Sequence, residues 1–146
     1  KKTQIIFEPG RFIIGNTSIL ISKVIYIKKS NNKNFIILDA GMNDLMRPAL
    51  YGAYHKIIPL KRNSKEILKN VEFVGPICES SDKFLNQKNF SKIREGDYVA
   101  ITDVGAYGMS LASNYNTRPI IAEIIVIRSK HRIIKKRQSL ETLINN

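Results

Sequence analysis

The chain has 146 residues, 43% hydrophobic and 25% charged, and its 24 Lys and Arg against 12 Asp and Glu give a formal net charge of +12. This length predicts one domain, with a fragment of a neighbour, and the composition excludes disordered, collagen-like and coiled-coil classes. The apolar runs are far shorter than the roughly 20 residues of a transmembrane helix. No signal peptide is recognisable, and the single Cys78 excludes an internal disulfide, so we predict a cytoplasmic protein without a membrane partner.

The first segment is a short apolar run, residues 3–7, that stops at Glu8–Arg11. Such a run predicts a strand buried on both faces, followed by a turn. The run suggests that the first residues belong to a larger structure upstream, and if the strand belongs to a β/α barrel, its C-terminal end faces the active site. At the end of a barrel strand, Gly10 would let backbone N–H groups approach a phosphate, and Arg11 could bind a carboxylate or phosphate. An ordinary tight turn is the alternative.

The following segment, residues 12–137, is predicted to be a β-domain, because Ile/Val runs and alternating patterns are separated by turn-forming residues. Their spacing is typical of a sandwich or barrel. The predicted strands are Ile19–Lys28, Asn34–Asp39, His55–Pro59, Val71–Gly75, Tyr98–Thr102, Ile120–Arg128 and Arg132–Lys136.

Helical signals are few. Asn63 or Ser64 could cap a helix over Lys65–Lys69, and Ala106–Asn114 has apolar residues at helical spacing. In the C-terminal tail, residues 138–146, Ser139 is predicted to cap a short helix over Leu140–Ile144.

Residues 39–55 are too irregular for a strand and too broken for a helix. Long, non-repetitive loops in compact domains are usually functional, although a surface connection is the alternative. Residues 75–82 place Cys78 in a polar flank after a strand, which suits either a reactive thiol or a small buried side chain. His55 and His131 do not make a credible Cys–His hydrolase.

Residues 105–108, Gly-Ala-Tyr-Gly, are predicted to open the helix that follows a strand. A helix N-terminus binds anions, and the hydroxyl of Tyr107 would lie at its mouth. The alternative is that Tyr107 fills the core.

Four motifs together resemble the C-terminal part of the diaminopimelate decarboxylases: EPGR at 8–11, GMNDLMRPALY at 41–51, GPICESSD at 75–82 and GAYGMSLASNYNTRP at 105–119. These enzymes belong to the pyridoxal-phosphate (PLP) decarboxylases of the alanine-racemase-like fold, which include ornithine and arginine decarboxylases. The resemblance implies a mostly β fold, the C-terminal β-sandwich or barrel domain of a two-domain PLP decarboxylase. It implies that residues 1–11 are the last strand and active-site loop of a truncated β/α (TIM) barrel that precedes this domain.

The implied reaction is the PLP-dependent decarboxylation of meso-2,6-diaminopimelate to L-lysine and CO2 in lysine biosynthesis. The resemblance places the Schiff-base lysine upstream, so the chain alone is expected to be inactive. It implies a homodimer with active sites at the subunit interface, a catalytic proton donor, Cys78, and no metal. The implied ligand contacts are, for the cofactor, Glu8, Pro9, Gly10, Arg11 and Tyr107, and, for the substrate, Arg11, Arg47, Tyr51, Glu79 and Tyr107.

Two alternatives stay open. One is a related PLP decarboxylase acting on ornithine-like or arginine-like substrates, which lack the distal carboxylate that Arg47 would bind. The other is a basic β-barrel that binds nucleic acid, favoured by the net charge. Against it, the basic residues are scattered, and the one dense run, Lys130–Arg137, contains no aromatic residue to stack a base. We therefore expect a small-molecule substrate and no nucleic-acid partner.

Overall fold

The computed structural model describes residues 2–61 and 65–145. Within these ranges the chain forms eight strands in two sheets and two short α-helices. The strands are β1 (Leu20–Ser30), β2 (Lys33–Leu38), β3 (Ile57–Pro59), β4 (Ile67–Val74), β5 (Lys83–Ser91), β6 (Tyr98–Ile101), β7 (Glu123–Ile127) and β8 (Lys130–Lys135). The helices are α1 (Arg47–Tyr51) and α2 (Leu140–Ile144), and 3-10 turns cover Gly10–Phe12, Gly15–Thr17, Met109–Leu111 and Tyr115–Thr117.

The main sheet has the strand order β3-β6-β1-β2-β4-β5, and only the β2–β4 pair in it is parallel. The long strand β1 pairs with β6 through Leu20–Lys23 and with β2 from Val24 onward, with a bulge between Val24 and Tyr26. A bulge of this kind bends a strand and increases its twist. The two edge strands, β3 and β5, line one cavity together. The sheet is therefore nearly closed into a barrel, which confirms the predicted fold class.

The core of the barrel consists of alternate side chains from its strands. Val24, Ile36, Phe73 and Val99 are fully buried, and the ring of Phe73 meets that of Phe90 edge to face with 4.9 Å between centroids. Burying one such side chain stabilises the fold by about 1.5–3 kcal/mol. The packed strands therefore hold the ends of the loops between them in fixed positions.

The seven predicted β-domain strands are confirmed to within a few residues, but β5 was not predicted. Its sequence, KFLNQKNFS, is rich in Lys, Asn and Gln, residues with low strand propensity. It forms because it pairs along β4 and buries Phe84 and Phe90 in the core. This long-range pairing overrides the local preference.

Two of the three predicted helices are wrong. The region Lys65–Lys69 leads into β4, which begins at Ile67, because pairing with β5 extends the strand to that residue. The predicted capping residues, Asn63 and Ser64, lie outside the described residues.

The segment Ala106–Asn114 contains a single 3-10 turn, Met109–Leu111, instead of an α-helix. Tyr107 has a left-handed φ of 58°, which a right-handed helix does not accommodate. The predicted helix N-terminus with Tyr107 at its mouth is therefore wrong.

The predicted C-terminal helix is confirmed as α2, and the Ser139 Oγ accepts the backbone N–H of Thr142 at 3.1 Å. The hairpin β7–β8 is apolar on both of its largely exposed faces. Residues 2–9 belong to no strand or helix and are exposed. A barrel strand forms only beside its neighbours, so the barrel strand at residues 3–7 stays a prediction. Among the helices of the described residues, none has the length and apolar character needed to cross a membrane.

Candidate active site

The loop from Asp39 to α1 is held by buried polar groups. The Asp44 carboxylate accepts the backbone N–H of Gly41 at 2.9 Å, and Asn43 accepts an N–H from the Arg118 guanidinium at 2.8 Å. Arg118 also donates to the carbonyl of Asp39 at 2.5 Å. Because Arg118 comes from the distant 105–119 motif, this network joins two of the four motifs. These hydrogen bonds fix the loop that leads into α1.

The helix α1 presents a guanidinium on an aromatic face. It has Pro48 in its first turn and ends at Gly52, so Arg47 and Tyr51 lie one turn apart. The Arg47 guanidinium carbon is 5.7 Å from the centre of the Tyr51 ring, within cation–π range. The Arg47 Nε is buried and has no hydrogen-bond partner among the described residues. The sequence motif therefore found this pair, although α1 itself was not predicted.

A second guanidinium comes from the N-terminal motif. The Arg11 Nη2 donates to the carbonyl of Asp103 at 2.7 Å, and the side chain of Arg11 packs on Gly15. The Arg11 Nε is also buried without a partner in the described part of the chain. Asp103 has a left-handed φ of 63°, a strained conformation for a residue other than glycine that is often found at functional sites.

His55 lies close in the chain or the fold to the residues that hold both arginines, and it was not predicted as a site residue. Its partner Thr102 precedes Asp103, which accepts from Arg11, and the Arg47 carbonyl accepts the N–H of Ala53, two residues before His55. Its side chain is 1% exposed, and its Nδ1 lies 2.9 Å from the carbonyl oxygen of Thr102, at the end of β6. Burial lowers the pKa of His55, and the charges of Arg47 and Arg11 lower it further, against the effect of the Thr102 hydrogen bond. Its Nε2 is buried without a partner in residues 2–61 and 65–145.

Three buried side-chain atoms in the described residues lack a hydrogen-bond partner, and no other buried side-chain nitrogen or oxygen there does. They are Arg11 Nε, Arg47 Nε and His55 Nε2. Buried polar atoms are nearly always satisfied, so an unsatisfied group in a native fold calls for a ligand, a water or a missing partner. A guanidinium with an unsatisfied N–H suits a carboxylate, which it can bind through two parallel hydrogen bonds. We name Arg11, Arg47, Tyr51 and His55 the arginine cluster.

Cys78 and Glu79 lie on a different loop, which is held by Asp82. The buried Asp82 carboxylate accepts the backbone N–H of Met42 at 2.7 Å and of Ile77 at 2.8 Å. Burial raises the pKa of Asp82 and outweighs these two hydrogen bonds, which lower it. Gly75 lies so close to the Asp82 carboxylate that any Cβ there would overlap it.

The Cys78 thiol and the Glu79 side chain are exposed. The alternative of Cys78 as a small buried residue is therefore wrong. In the described part of the chain, no hydrogen bond or ion pair joins either residue to Arg11 or Arg47.

Tyr107 belongs to the segment that connects the other site elements. It is 51% exposed, so it does not fill the core. The neighbouring Gly105 donates its N–H to the carbonyl of Gly15 at 2.9 Å, and Val104 donates to Ser18 at 3.2 Å. These bonds hold the Tyr107 turn against the segment that carries Arg11. Among the described residues, no group of three His, Cys, Asp or Glu side chains could hold a metal ion.

The barrel-like sheet and this arrangement of loops are those of a PLP-dependent decarboxylase. The family model described as "Pyridoxal-dependent decarboxylase, C-terminal sheet domain" matches residues 12–105, more than half of the chain, and the chain belongs to this family.

Several relatives carry a more particular name. The chain is 46% identical over 143 residues to the diaminopimelate decarboxylase of Zymomonas mobilis, covering 98% of this chain and 34% of that protein. It is 48% identical over 139 residues to that of Helicobacter pylori strain J99, covering 95% and 34%. The chain therefore spans about a third of the length of the curated relatives it matches.

Solved structures give the same picture. A protein from Aquifex aeolicus superposes with a TM-score of 0.91 at 41% identity, covering 99% of this chain and 36% of that one. The diaminopimelate decarboxylase of Helicobacter pylori complexed with L-lysine has a TM-score of 0.85 at 47% identity, covering 94% and 34%.

Proposed function

We propose that this chain is the C-terminal domain of a diaminopimelate decarboxylase, which converts meso-2,6-diaminopimelate to L-lysine and CO2. The observation that carries the proposal is the pair of guanidiniums, Arg11 and Arg47, each with a buried Nε that has no partner among the described residues. The relatives named above support the same conclusion at close to half identity. Family membership favours this function over nucleic-acid binding.

Arg11 and Arg47, with Tyr51, bind the distal carboxylate of the substrate in this proposal. Tyr51 supports the flat face of the Arg47 guanidinium, which orients its N–H groups. Ornithine and arginine lack the distal carboxylate and would leave the two arginines, each with a buried Nε, without that partner. Sites built for a polar group reject analogues without it by large factors, because the buried partner is left unsatisfied. The cluster therefore favours diaminopimelate over the substrates of the related decarboxylases.

The residues expected to hold PLP fit a phosphate. Gly10 has a φ of 47° with open space around it, so the backbone of Glu8–Arg11 can approach an anion closely. The Tyr107 side chain is exposed on the segment bonded to the one that carries Arg11, where it can contact cofactor and substrate. When bound, PLP supplies the electron sink for the departing carboxylate.

Cys78 returns a proton to the α-carbon as a general acid, and Glu79 binds the distal ammonium group of the substrate. Both side chains are exposed on a loop fixed by Asp82, with no bond to the arginine cluster in the described residues. Their exposure favours an arrangement in which they serve the active site of the second subunit of a homodimer. General acids of this kind contribute about 100- to 10,000-fold to the rate.

The test is the activity of the full-length protein loaded with PLP. We expect release of CO2 and formation of L-lysine from meso-2,6-diaminopimelate, with far slower turnover of ornithine and arginine. Turnover of ornithine or arginine in preference to diaminopimelate would instead support the related decarboxylase. Salt-sensitive oligonucleotide binding without any decarboxylation would support the nucleic-acid alternative.

A further inference from the structure

His55 has a single anchored ring nitrogen and a single unused one. The carbonyl oxygen of Thr102 can only accept a hydrogen bond, so the His55 Nδ1 at 2.9 Å carries the ring proton and donates it. The Nε2 on the opposite side of the ring then has a free lone pair. This atom is buried without a partner in the described residues, at a cost comparable to that of a lost hydrogen bond.

Arg47 lacks a hydrogen-bond acceptor for its buried Nε within the described ranges. Arg11 is oriented by its hydrogen bond to Asp103, whereas the described part of the chain offers Arg47 only the Tyr51 ring, which supports its face but does not fix its rotation. The buried Arg47 Nε is a donor without an acceptor, and the His55 Nε2 is an acceptor without a donor. The two residues are held near each other by the backbone, because the Arg47 carbonyl accepts the N–H of Ala53, two residues before His55, at 3.4 Å.

We propose that His55 is a positioning residue of the arginine cluster. In the complete enzyme its Nε2 accepts an N–H from the Arg47 guanidinium, and this hydrogen bond orients the guanidinium towards the distal carboxylate of the substrate. This inference rests on the proposed function and extends it to a residue that contacts neither substrate nor cofactor.

The charges around the ring support this role. The groups that face it are Arg47 and Arg11, which oppose its protonation, and Asp103, which favours it. With burial added, the pKa of His55 lies below its usual value. At neutral pH the ring is therefore uncharged, and the Nε2 lone pair is free to accept. A protonated ring would repel both guanidiniums.

Two substitutions separate the ring nitrogens. In His55→Asn the amide can still donate to Thr102, but the acceptor at the Nε2 position is lost. In His55→Gln the longer side chain places an amide oxygen near the Nε2 position. His131→Asn, on the exposed hairpin β7–β8, is the matched control. Each variant is made in the full-length PLP-loaded protein, and its cofactor absorbance and unfolding midpoint are recorded.

We expect His55→Asn to raise KM for diaminopimelate about tenfold, the loss typical of one hydrogen bond to a charged group, with kcat within about threefold of the parent. His55→Gln should recover most of that loss, and His131→Asn should change nothing. In an Arg47→Ala background, His55→Asn should raise KM by less than about twofold, because the group it orients is gone. If His55→Asn does not fold, His55→Leu, which removes the same acceptor, is carried through the same cycle and must likewise raise KM only when Arg47 is present.

An equal rise in KM from His55→Asn with and without Arg47 would overturn the inference, as would an unchanged KM or a loss confined to kcat. An unsubstituted protein that does not decarboxylate diaminopimelate would overturn the proposed function instead, so the two failures are distinct.

Discussion

Replacing Arg47 by lysine in the full-length protein tests the carboxylate contact while keeping the positive charge. Lysine offers a compact ammonium in place of a planar fork, so one of two parallel hydrogen bonds to the carboxylate is lost. The contact of the fork with the Tyr51 ring, with its centroid 5.7 Å from the guanidinium carbon, is lost as well. A hydrogen bond to a charged group contributes about 1.5–3 kcal/mol, which corresponds to a factor of about 10 to 150 in binding.

We therefore expect Arg47→Lys to raise KM for diaminopimelate more than tenfold. The assay is steady-state CO2 release at saturating PLP, with cofactor absorbance as a check that the other parts of the site are intact. Arg94→Lys, an exposed position near the β5–β6 connection, is the matched control and should leave both constants unchanged. Unchanged kinetics in Arg47→Lys would refute the assignment of Arg47 to the substrate contact.

Three further predictions concern other parts of the domain. Cys78→Ala should cut turnover by roughly 100-fold with little change in the unfolding midpoint, since the thiol is exposed. Mixing this variant with a chain that lacks the Schiff-base lysine should restore partial activity. Heterodimers that form without any recovery of activity would exclude a site shared between subunits. Gly75→Ala should destabilise the domain by about 1–3 kcal/mol in denaturant unfolding, because its Cβ overlaps the Asp82 carboxylate, and an unchanged midpoint would contradict the close packing. Asp97→Asn should lower the unfolding midpoint by about 2 °C at pH 7. Lys61 and the Arg94 backbone hold the pKa of Asp97 below 3.8, so the difference should disappear as the pH falls below that value, and a difference that persists there would contradict this cause.

Most of the sheet could be predicted from the sequence, because Ile- and Val-rich runs are a local signal. The exception, β5, shows the limit of that signal. Its polar residues favour no strand, and only pairing with β4 and burial of two phenylalanines make it one. Conversely, Ala106–Asn114 has apolar residues at helical spacing, but the left-handed backbone of Tyr107 prevents a helix there. Local sequence patterns predict neither the pairing of β5 with β4 nor the left-handed backbone of Tyr107.

The candidate site was predictable where a motif carries it. Arg11, Arg47 and Tyr51 were predicted in this way, and the structure leaves the Nε of each arginine buried without a partner among the described residues. His55 was missed, because nothing around it in the sequence distinguishes it from a core histidine. Its role becomes visible only when β6 brings the Thr102 carbonyl to one side of the ring and leaves the other side without a partner.

The central claim is that the arginine cluster recognises the distal carboxylate of the substrate. D-Lysine keeps the reacting D centre of meso-2,6-diaminopimelate and lacks only the distal carboxylate, so the ratio of kcat/KM for decarboxylation of the two compounds by the full-length protein tests the claim most directly. Two guanidiniums, each with a buried Nε, that lose their carboxylate partner predict a ratio of at least about 10,000 in favour of diaminopimelate. Comparable values for the two substrates would contradict the claim.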